Sequence, residues 1–340
     1  MRKLLNTLYV TTPEAYLSKD GMNVVISVKQ EERFRIPIIN LEQIVTFGYM
    51  GASPGLMKLC SDNNVSLTFL SPNGRLIGHF QGPIKGNVLL RKRQYELSSQ
   101  VDFALHLSRL FIAAKIRNYR SILRRAIRDN GADENLETIA KLLDQRRKQV
   151  LEASNFNELR GLEGDAANAY FSVFSHLILQ QKDSFSFVCR NRRPPKDAVN
   201  AMLSFAYTLL ANDTAAALET VGLDPYVGFL HTLRPGRCSL ALDLMEEFRA
   251  YLGDRLVLSL INKSQIRLHD FIVQGEDGIT MTENGRKILL TAWQMRKKEE
   301  IMHPYLNEKI PIGLLPYVQS LLLARMIRGD LEDYPVFLIK

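Results

Sequence analysis

The sequence predicts an α+β protein in two parts, and three observations carry that expectation. Over the first 85 or so residues apolar positions alternate with a period of two, whereas from about Asn87 they recur with the period of a helix. At 340 residues the chain is long enough to bury two separate cores. The expected boundaries are therefore a β-rich part over 1–86 and a larger, mainly helical part over 87–340.

Strand-like runs occur at Leu4 to Val10, Asn23 to Val28, Arg33 to Ile38, Gln43 to Phe47, Val65 to Leu70 and Leu76 to Gln81. Lys19-Asp20-Gly21 and Ser71-Pro72-Asn73-Gly74 are turn signals, the second placed to close a hairpin. Ser53 followed by Pro54 reads as an N-cap and first helical residue, so one short helix interrupts the strands. In the second part, Ile112, Ile116, Tyr119, Leu123 and Ile127 form one apolar stripe of a helix. Arg117, Arg120, Arg124 and Arg128 line a separate one. Asp224-Pro225 reads as a helix start leading to His231, and Ser239 as the cap of a helix carrying Asp243 and Glu246. Asp270 to Val273 and Ile279 to Met281 flank Gly275 to Gly278 as a two-stranded wing. Two helices follow, from Glu283 into the 290s and from Gly313 to Ile327, separated by Pro304 to Pro311.

Composition narrows the function classes. No uncharged apolar run is long enough to cross a bilayer, and the first residues contain no extended apolar region or small-residue cleavage site. The expected location is the cytoplasm, away from membranes. Cys60, Cys189 and Cys238 form no CxxC pair, which argues against a zinc ribbon or a secreted disulfide framework and for buried thiols. The net charge of +8 suits a polyanionic partner without proving one.

Glu163 is the most informative residue. It lies in Gly161-Leu162-Glu163-Gly164-Asp165-Ala166-Ala167, on the stripe that continues through Ala167, Tyr170, Phe171, Phe174, Leu177 and Ile178, where a core residue belongs. The small neighbours Gly161 and Gly164 suggest a close approach to the backbone. Downstream, His231 and the pair Asp243 and Glu246, three residues apart on a helix, supply an imidazole and two carboxylates in apolar surroundings. Together with Glu163 they form an oxygen-rich ligand set that suits Mg²⁺ or Mn²⁺. A blander reading stands beside it: a hydrogen-bonded core histidine, a solvated acidic face and a buried ion pair at Glu163. Cations gather in the Arg117 to Arg128 stripe, in Arg190, Arg192 and Arg193, in Arg234 and Arg237, and in Arg296-Lys297-Lys298. The first of these suggests a polyanion lying along the helix, since four like charges on one stripe repel each other.

These motifs resemble those of the integrase of CRISPR adaptation, CRISPR-associated protein one. The resemblance rests on Gly161 to Gly164 with Ala166-Ala167 and Tyr170-Phe171, on His231, and on Ser239 to Arg249. Ile36-Pro37-Ile38, Gln43 to Gly48, Ser53-Pro54, Val65 to Leu70 and Asn73-Gly74-Arg75 extend it over essentially the whole chain, with a wording closest to the subtype I-C branch. It implies a β-rich domain that builds a homodimer and a helical domain that holds one metal. Glu163, His231 and Glu246 match the family's ligands, with Asp243 an accessory acid; which of Asp243 and Glu246 dominates stays open here. It further implies a small second adaptation protein, two integrase dimers flanking one dimer of that partner, and a DNA duplex held across the assembly. The expected activity is metal-dependent DNA cleavage and strand transfer that inserts fragments into a CRISPR array. A DNA-binding scaffold without chemistry and a small-nucleotide phosphohydrolase are the alternatives.

Overall fold

The structure, a computed structural model, describes all residues except 1–6, 11, 13, 42, 71–75, 81, 83–87, 193, 276–277 and 340. It contains two compact units, 1–85 and 86–340. The first is strand-rich and the second mainly helical, giving an α+β chain.

In the first unit β1 (Thr7–Val10), β5 (Gln43–Phe47), β6 (Ser66–Leu70) and β7 (Leu76–Phe80) form one sheet in the order β1-β5-β6-β7. The central strand β5 pairs in parallel on both sides and is buried throughout, as a two-sided parallel strand must be. A second, antiparallel sheet holds β2 (Ala15–Asp20), β3 (Asn23–Val28) and β4 (Glu31–Pro37). Helix α1 (Pro54–Asp62) begins where the sequence indicates, with Ser53 Oγ accepting from the Leu56 amide at 3.1 Å. Its Leu56, Leu59 and Cys60 share a core with Leu17, Val24, Ile44 and Leu67.

The second unit is built on α2 (Val88–Ser98), α3 (Val101–Asn130), α4 (Glu134–Glu152), α5 (Phe156–Ser172) and α6 (Ala198–Val221). Then come α7 (Ser239–Met245), a π-helical turn over Arg249–Asp254, and α8 (Arg255–Asn262). The wing β8 (Phe271–Val273) and β9 (Ile279–Met281) is antiparallel. Helix α9 (Glu283–Lys298), the pair β10 (Glu300–Met302) and β11 (Lys309–Pro311), and α10 (Leu315–Arg328) complete it. Tyr119 of α3 and Tyr170 of α5 stack at 3.9 Å in the core, which holds these two helices together. Among the described residues no helix is long and apolar enough to cross a membrane.

Several expectations need correction. Strand β2 was not foreseen, because only Ala15 and Leu17 mark its buried face. Its pairing with β3 over six residues, from Ala15 opposite Val28 to Asp20 opposite Asn23, supplies what the pattern lacks. The Pro304 to Pro311 stretch is partly strand, closing back on β10. No helix runs from Pro225 to His231, since the amides of Phe229, Leu230 and His231 are taken by a side chain rather than by helical carbonyls. Ser239 is the first residue of α7 and not its cap; its hydroxyl donates to the Thr232 carbonyl at 3.4 Å. The α5 helix ends at Ser172, so Phe174 and Leu177 reach the core from a 3-10 turn. Cys60 is buried as expected, but Cys189 is exposed and Cys238 half-buried. The turn at Ser71 to Gly74 lies outside the described residues, although β6 and β7 do pair antiparallel.

Candidate metal and nucleic-acid site

Two helices and one loop build the site. Asn155 caps α5, its Oδ1 accepting from the Asn157 and Glu158 amides at 3.0 Å each, and the helix then presents Arg160 and Glu163 one turn apart. Glu246 stands at the C-terminal end of α7, in helical backbone, and Arg249 opens the π-helical turn that follows. His231 comes from the loop between α6 and α7. Glu163, His231 and Glu246 line one cavity of about 340 Å³ together with Ile112, Arg160, Arg192, Leu230, Thr232, Arg237 and Arg249.

Asp243 does not line that cavity. Its side chain is fully buried and its two oxygens are saturated. Oδ2 accepts from the Phe229 and Leu230 amides at 2.7 and 2.9 Å, and Oδ1 from the His231 amide at 3.0 Å and His231 Nδ1 at 2.5 Å. One carboxylate thus bends the loop and fixes the imidazole, leaving Nε2 as the ring nitrogen with a lone pair. Gly228 makes this possible, because a Cβ there would sit 2.5 Å from Asp243 Oδ2 and 2.8 Å from the Leu240 amide nitrogen.

Lys115 was missed from the sequence. Buried on α3, its ammonium pairs with Glu163 Oε1 and lies 2.9 Å from Glu246 Oε2. Glu246 Oε1 also meets Arg249 Nη2 at 3.0 Å. Burial alone would raise the Glu246 carboxyl, but the guanidinium of Arg249 and the ammonium of Lys115 outweigh it and hold the group below the usual carboxylate range. Arg249 is itself fixed: its guanidinium packs over the Tyr207 ring at 5.0 Å, with Arg190 over the same ring at 5.5 Å. Tyr207 and Tyr170 donate to the buried Asp254 at 2.5 and 3.0 Å. Desolvation drives that carboxyl up to about 6 in spite of both hydroxyls and the two guanidiniums.

Among the described residues no group of three or more His, Cys, Asp or Glu converges closely enough to hold an ion as it stands. Lys115 stands between two of the carboxylates as a monovalent cation. Glu246 Oε2 is buried and, although 2.9 Å from that ammonium, has no aligned hydrogen-bond donor. A buried oxygen with a charge partner but no directed bond, an imidazole with its second nitrogen anchored, and a further carboxylate fit a hard divalent cation.

The cationic positions divide sharply. Arg192 and Arg237 line the cavity, and Arg234 is exposed on the loop beside it. Arg124 and Arg128 are exposed on α3, whereas Arg117 and Arg120 are half-buried toward α4, with Arg120 Nε 3.8 Å from Asp144. Arg190 is spent on Asn200 at 2.7 Å and Ser204 at 3.1 Å, Arg296 pairs with Glu299, and Lys297 is buried against Asp213 at 2.8 Å. A lysine or arginine in a run is read as surface by default, and only the packing reveals that Arg190 and Lys297 serve the interior. Arg193 lies outside the described residues. Arg160 and Arg249 were also missed, although each stands three residues from a cavity carboxylate, close to one helical turn. The expected close approach at Gly161 and Gly164 is not made by this chain, since a Cβ at either would meet nothing within 4 Å.

A two-part α+β chain whose helical part gathers two carboxylates, a histidine and four arginines around one cavity has the build of a phosphodiester-handling protein. The sequence profile of the family described as CRISPR associated protein Cas1 matches residues 8–295. A relative from Chlorobaculum tepidum, named CRISPR-associated endonuclease Cas1 1, is 49% identical over 340 residues, spanning 99% of both chains. Another from Rhodospirillum rubrum, CRISPR-associated endonuclease Cas1 2, is 46% identical over 342 residues and 98% of each. The chain belongs to the CRISPR-associated Cas1 family. Its fold is shared with a Cas1 protein from Thermotoga maritima, with a TM-score of 0.83 at 23% identity over 98% of this chain and 100% of that one. A casposase bound to its integration product has a TM-score of 0.84 at 22% identity over 97% of this chain and 92% of that one.

Proposed function

We propose that this chain is a metal-dependent DNA endonuclease and integrase that inserts DNA fragments into a CRISPR array by transesterification. The observation that carries the reading is the meeting of Glu163, His231 and Glu246 in one cavity with Arg160, Arg192, Arg237 and Arg249. The relatives named as CRISPR-associated endonucleases, 46% and 49% identical over nearly their full length, support it. Glu163, Glu246 and Nε2 of His231 would hold Mg²⁺ or Mn²⁺, which when bound supplies charge stabilisation to a phosphodiester under in-line attack.

The residues themselves do the rest. Asp243 keeps the proton of the imidazole on Nδ1 and leaves the Nε2 lone pair for a ligand role, and a lone pair given to a metal would not be available as a base. Arg249 holds Glu246 ionised, and Arg160, Arg192 and Arg237 offer guanidiniums to the phosphodiester oxygens. The 3′-hydroxyl of the fragment gives up its proton to solvent and forms a new P–O bond. The P–O bond at the repeat boundary breaks, and its 3′-oxygen is protonated as it leaves. One bond is made for one broken, so strand joining needs no energy source.

The same reading makes residues 1–86 a dimerisation domain and 87–340 the catalytic domain. Its partners are double-stranded DNA and a small second adaptation protein, in the cytoplasm, and the reading extends to the subtype I-C branch, which the sequence wording resembles. This reading assigns Arg124, Arg128, Arg192, Arg234 and Arg237 to DNA, with Arg128 also 3.1 Å from Asp129. Glu163→Ala tests the assignment: plasmid nicking and strand joining should be abolished while duplex affinity stays near wild type. Wild-type activity of that variant with Mg²⁺ or Mn²⁺ refutes it. The contact of Lys115 with both carboxylates favours a second reading, a closed polar network in a DNA-binding scaffold, for which metal titration of a nicking assay should show nothing.

A further inference from the structure

Lys115 sits where a basic side chain is out of place. On α3 its neighbours Phe111, Ile112, Ala114, Ile116 and Tyr119 are all buried, and its own side chain is 3% exposed. A desolvated ammonium persists only where opposite charge surrounds it. Here that charge comes from the two carboxylates assigned above to a divalent cation. Lys115 lies between two acids, its ammonium hydrogen-bonded to Glu163 and 2.9 Å from Glu246 Oε2.

We propose that Lys115 is the resident counter-cation of the metal site, occupying the space between Glu163 and Glu246 in the metal-free protein and leaving it when a divalent cation enters. The proposal rests on the metal reading above. Without the ammonium, the buried Glu246 would keep Arg249 as its charge partner but would share the cavity with a second, unpaired carboxylate, Glu163. With it, the metal-free chain stays folded, and loading becomes an exchange of one cation for another. The side chain is tethered at the cavity, so the displaced ammonium remains near the bound phosphodiester as a further donor.

The test is Mn²⁺ binding to the full chain without DNA, by titration calorimetry, together with the melting temperature. Lys115→Met keeps the length and removes the charge. It should bind Mn²⁺ roughly tenfold more tightly or better, the scale on which outer partners tune metal affinity. Its melting temperature without Mn²⁺ should lie below wild type, and Mn²⁺ should raise it by more. Unchanged or weaker binding overturns the proposal, because a lysine that only supports the fold gives no reason for tightening. Should Lys115→Met not fold, wild-type crystals soaked in Mn²⁺ decide. Displacement of Nζ from both carboxylates supports the exchange; an ammonium still bridging them, with or without Mn²⁺ in the cavity, overturns it. Glu163→Gln separates this from the metal reading, since Mn²⁺ binding of wild-type affinity in that variant sinks the ligand set whatever Lys115→Met does.

Discussion

Asp243→Asn isolates the orientation of His231 from every other feature of the cavity. The carboxylate serves four donors: the Phe229 and Leu230 amides on Oδ2, and the His231 amide and Nδ1 on Oδ1. Asparagine has the same shape but a single acceptor oxygen, so one pair of donors must face an NH2 group. If the oxygen stays with Phe229 and Leu230, the NH2 group confronts the His231 amide and the imidazole. The ring can adapt by moving its proton to Nε2 and accepting at Nδ1, but the amide cannot. Leaving that buried donor against another donor, and reducing the charge-assisted bonds to neutral ones, costs about 2–4 kcal/mol of stability. The tautomer shift removes the Nε2 lone pair, which should weaken metal binding and slow nicking by about 10–100-fold. Mn²⁺ titration, a plasmid nicking assay, urea unfolding and the imidazole ¹⁵N shifts measure the four effects separately. A variant that binds Mn²⁺ and nicks DNA as the wild type does refutes the argument that Asp243 works through His231.

Other predictions concern charge, pH and packing. Arg192→Ala should weaken duplex binding and lower the log–log salt slope by about one, since it removes a cation at the cavity. Lys297→Ala breaks the buried pair with Asp213 and should cost about 3–5 kcal/mol of stability while leaving the slope unchanged, so a shallower slope there would contradict its placement. Burial pushes the Glu247 carboxyl up to about 8, against hydrogen bonds from the Phe337 amide, Tyr334 and Gln319. A raised folded pKa means the native state keeps a proton that the unfolded chain releases from about 4.5 upward. This stability is whole below that pH and is lost as pH rises through about 8. Glu247→Gln should therefore melt with a smaller decline than wild type across that window, and equal declines would show that Glu247 does not titrate there. Gly253→Ala would put a Cβ 2.7 Å from Tyr207 Cε1, forcing the ring from its place between Asp254 and Arg249. A loss of about 1–3 kcal/mol with slower nicking is expected, and wild-type stability in urea would count against it.

What could be read directly from the residues was local. Ser53-Pro54 starts a helix because a hydroxyl cap and a fixed φ act within one turn, and it does so here. The wing strands 271–273 and 279–281 and the long helix α3 follow from local patterns, which are properties of neighbours. Glu163 stood out by the same logic, as a carboxylate on an inward stripe. Yet Lys115 breaks its own stripe in the same way, beside Ile112 and Ile116, and went unnoticed because a lone lysine in a helix reads as surface.

Periodicity and residue type were enough for the two-part α+β character, the strand and helix periods, and side chains suited to a hard cation and a polyanion. Which of those side chains takes which role came from long-range packing. Asp243 and Glu246 are three residues apart and chemically alike, but the 229–231 loop closes on one and leaves the other to the cavity. Of two adjacent cations, Arg296 pairs with an exposed acid and Lys297 disappears into the core. The reason is physical: helical spacing fixes where a side chain starts, while its partner arrives from a segment tens of residues away, and only the packed chain brings the two together.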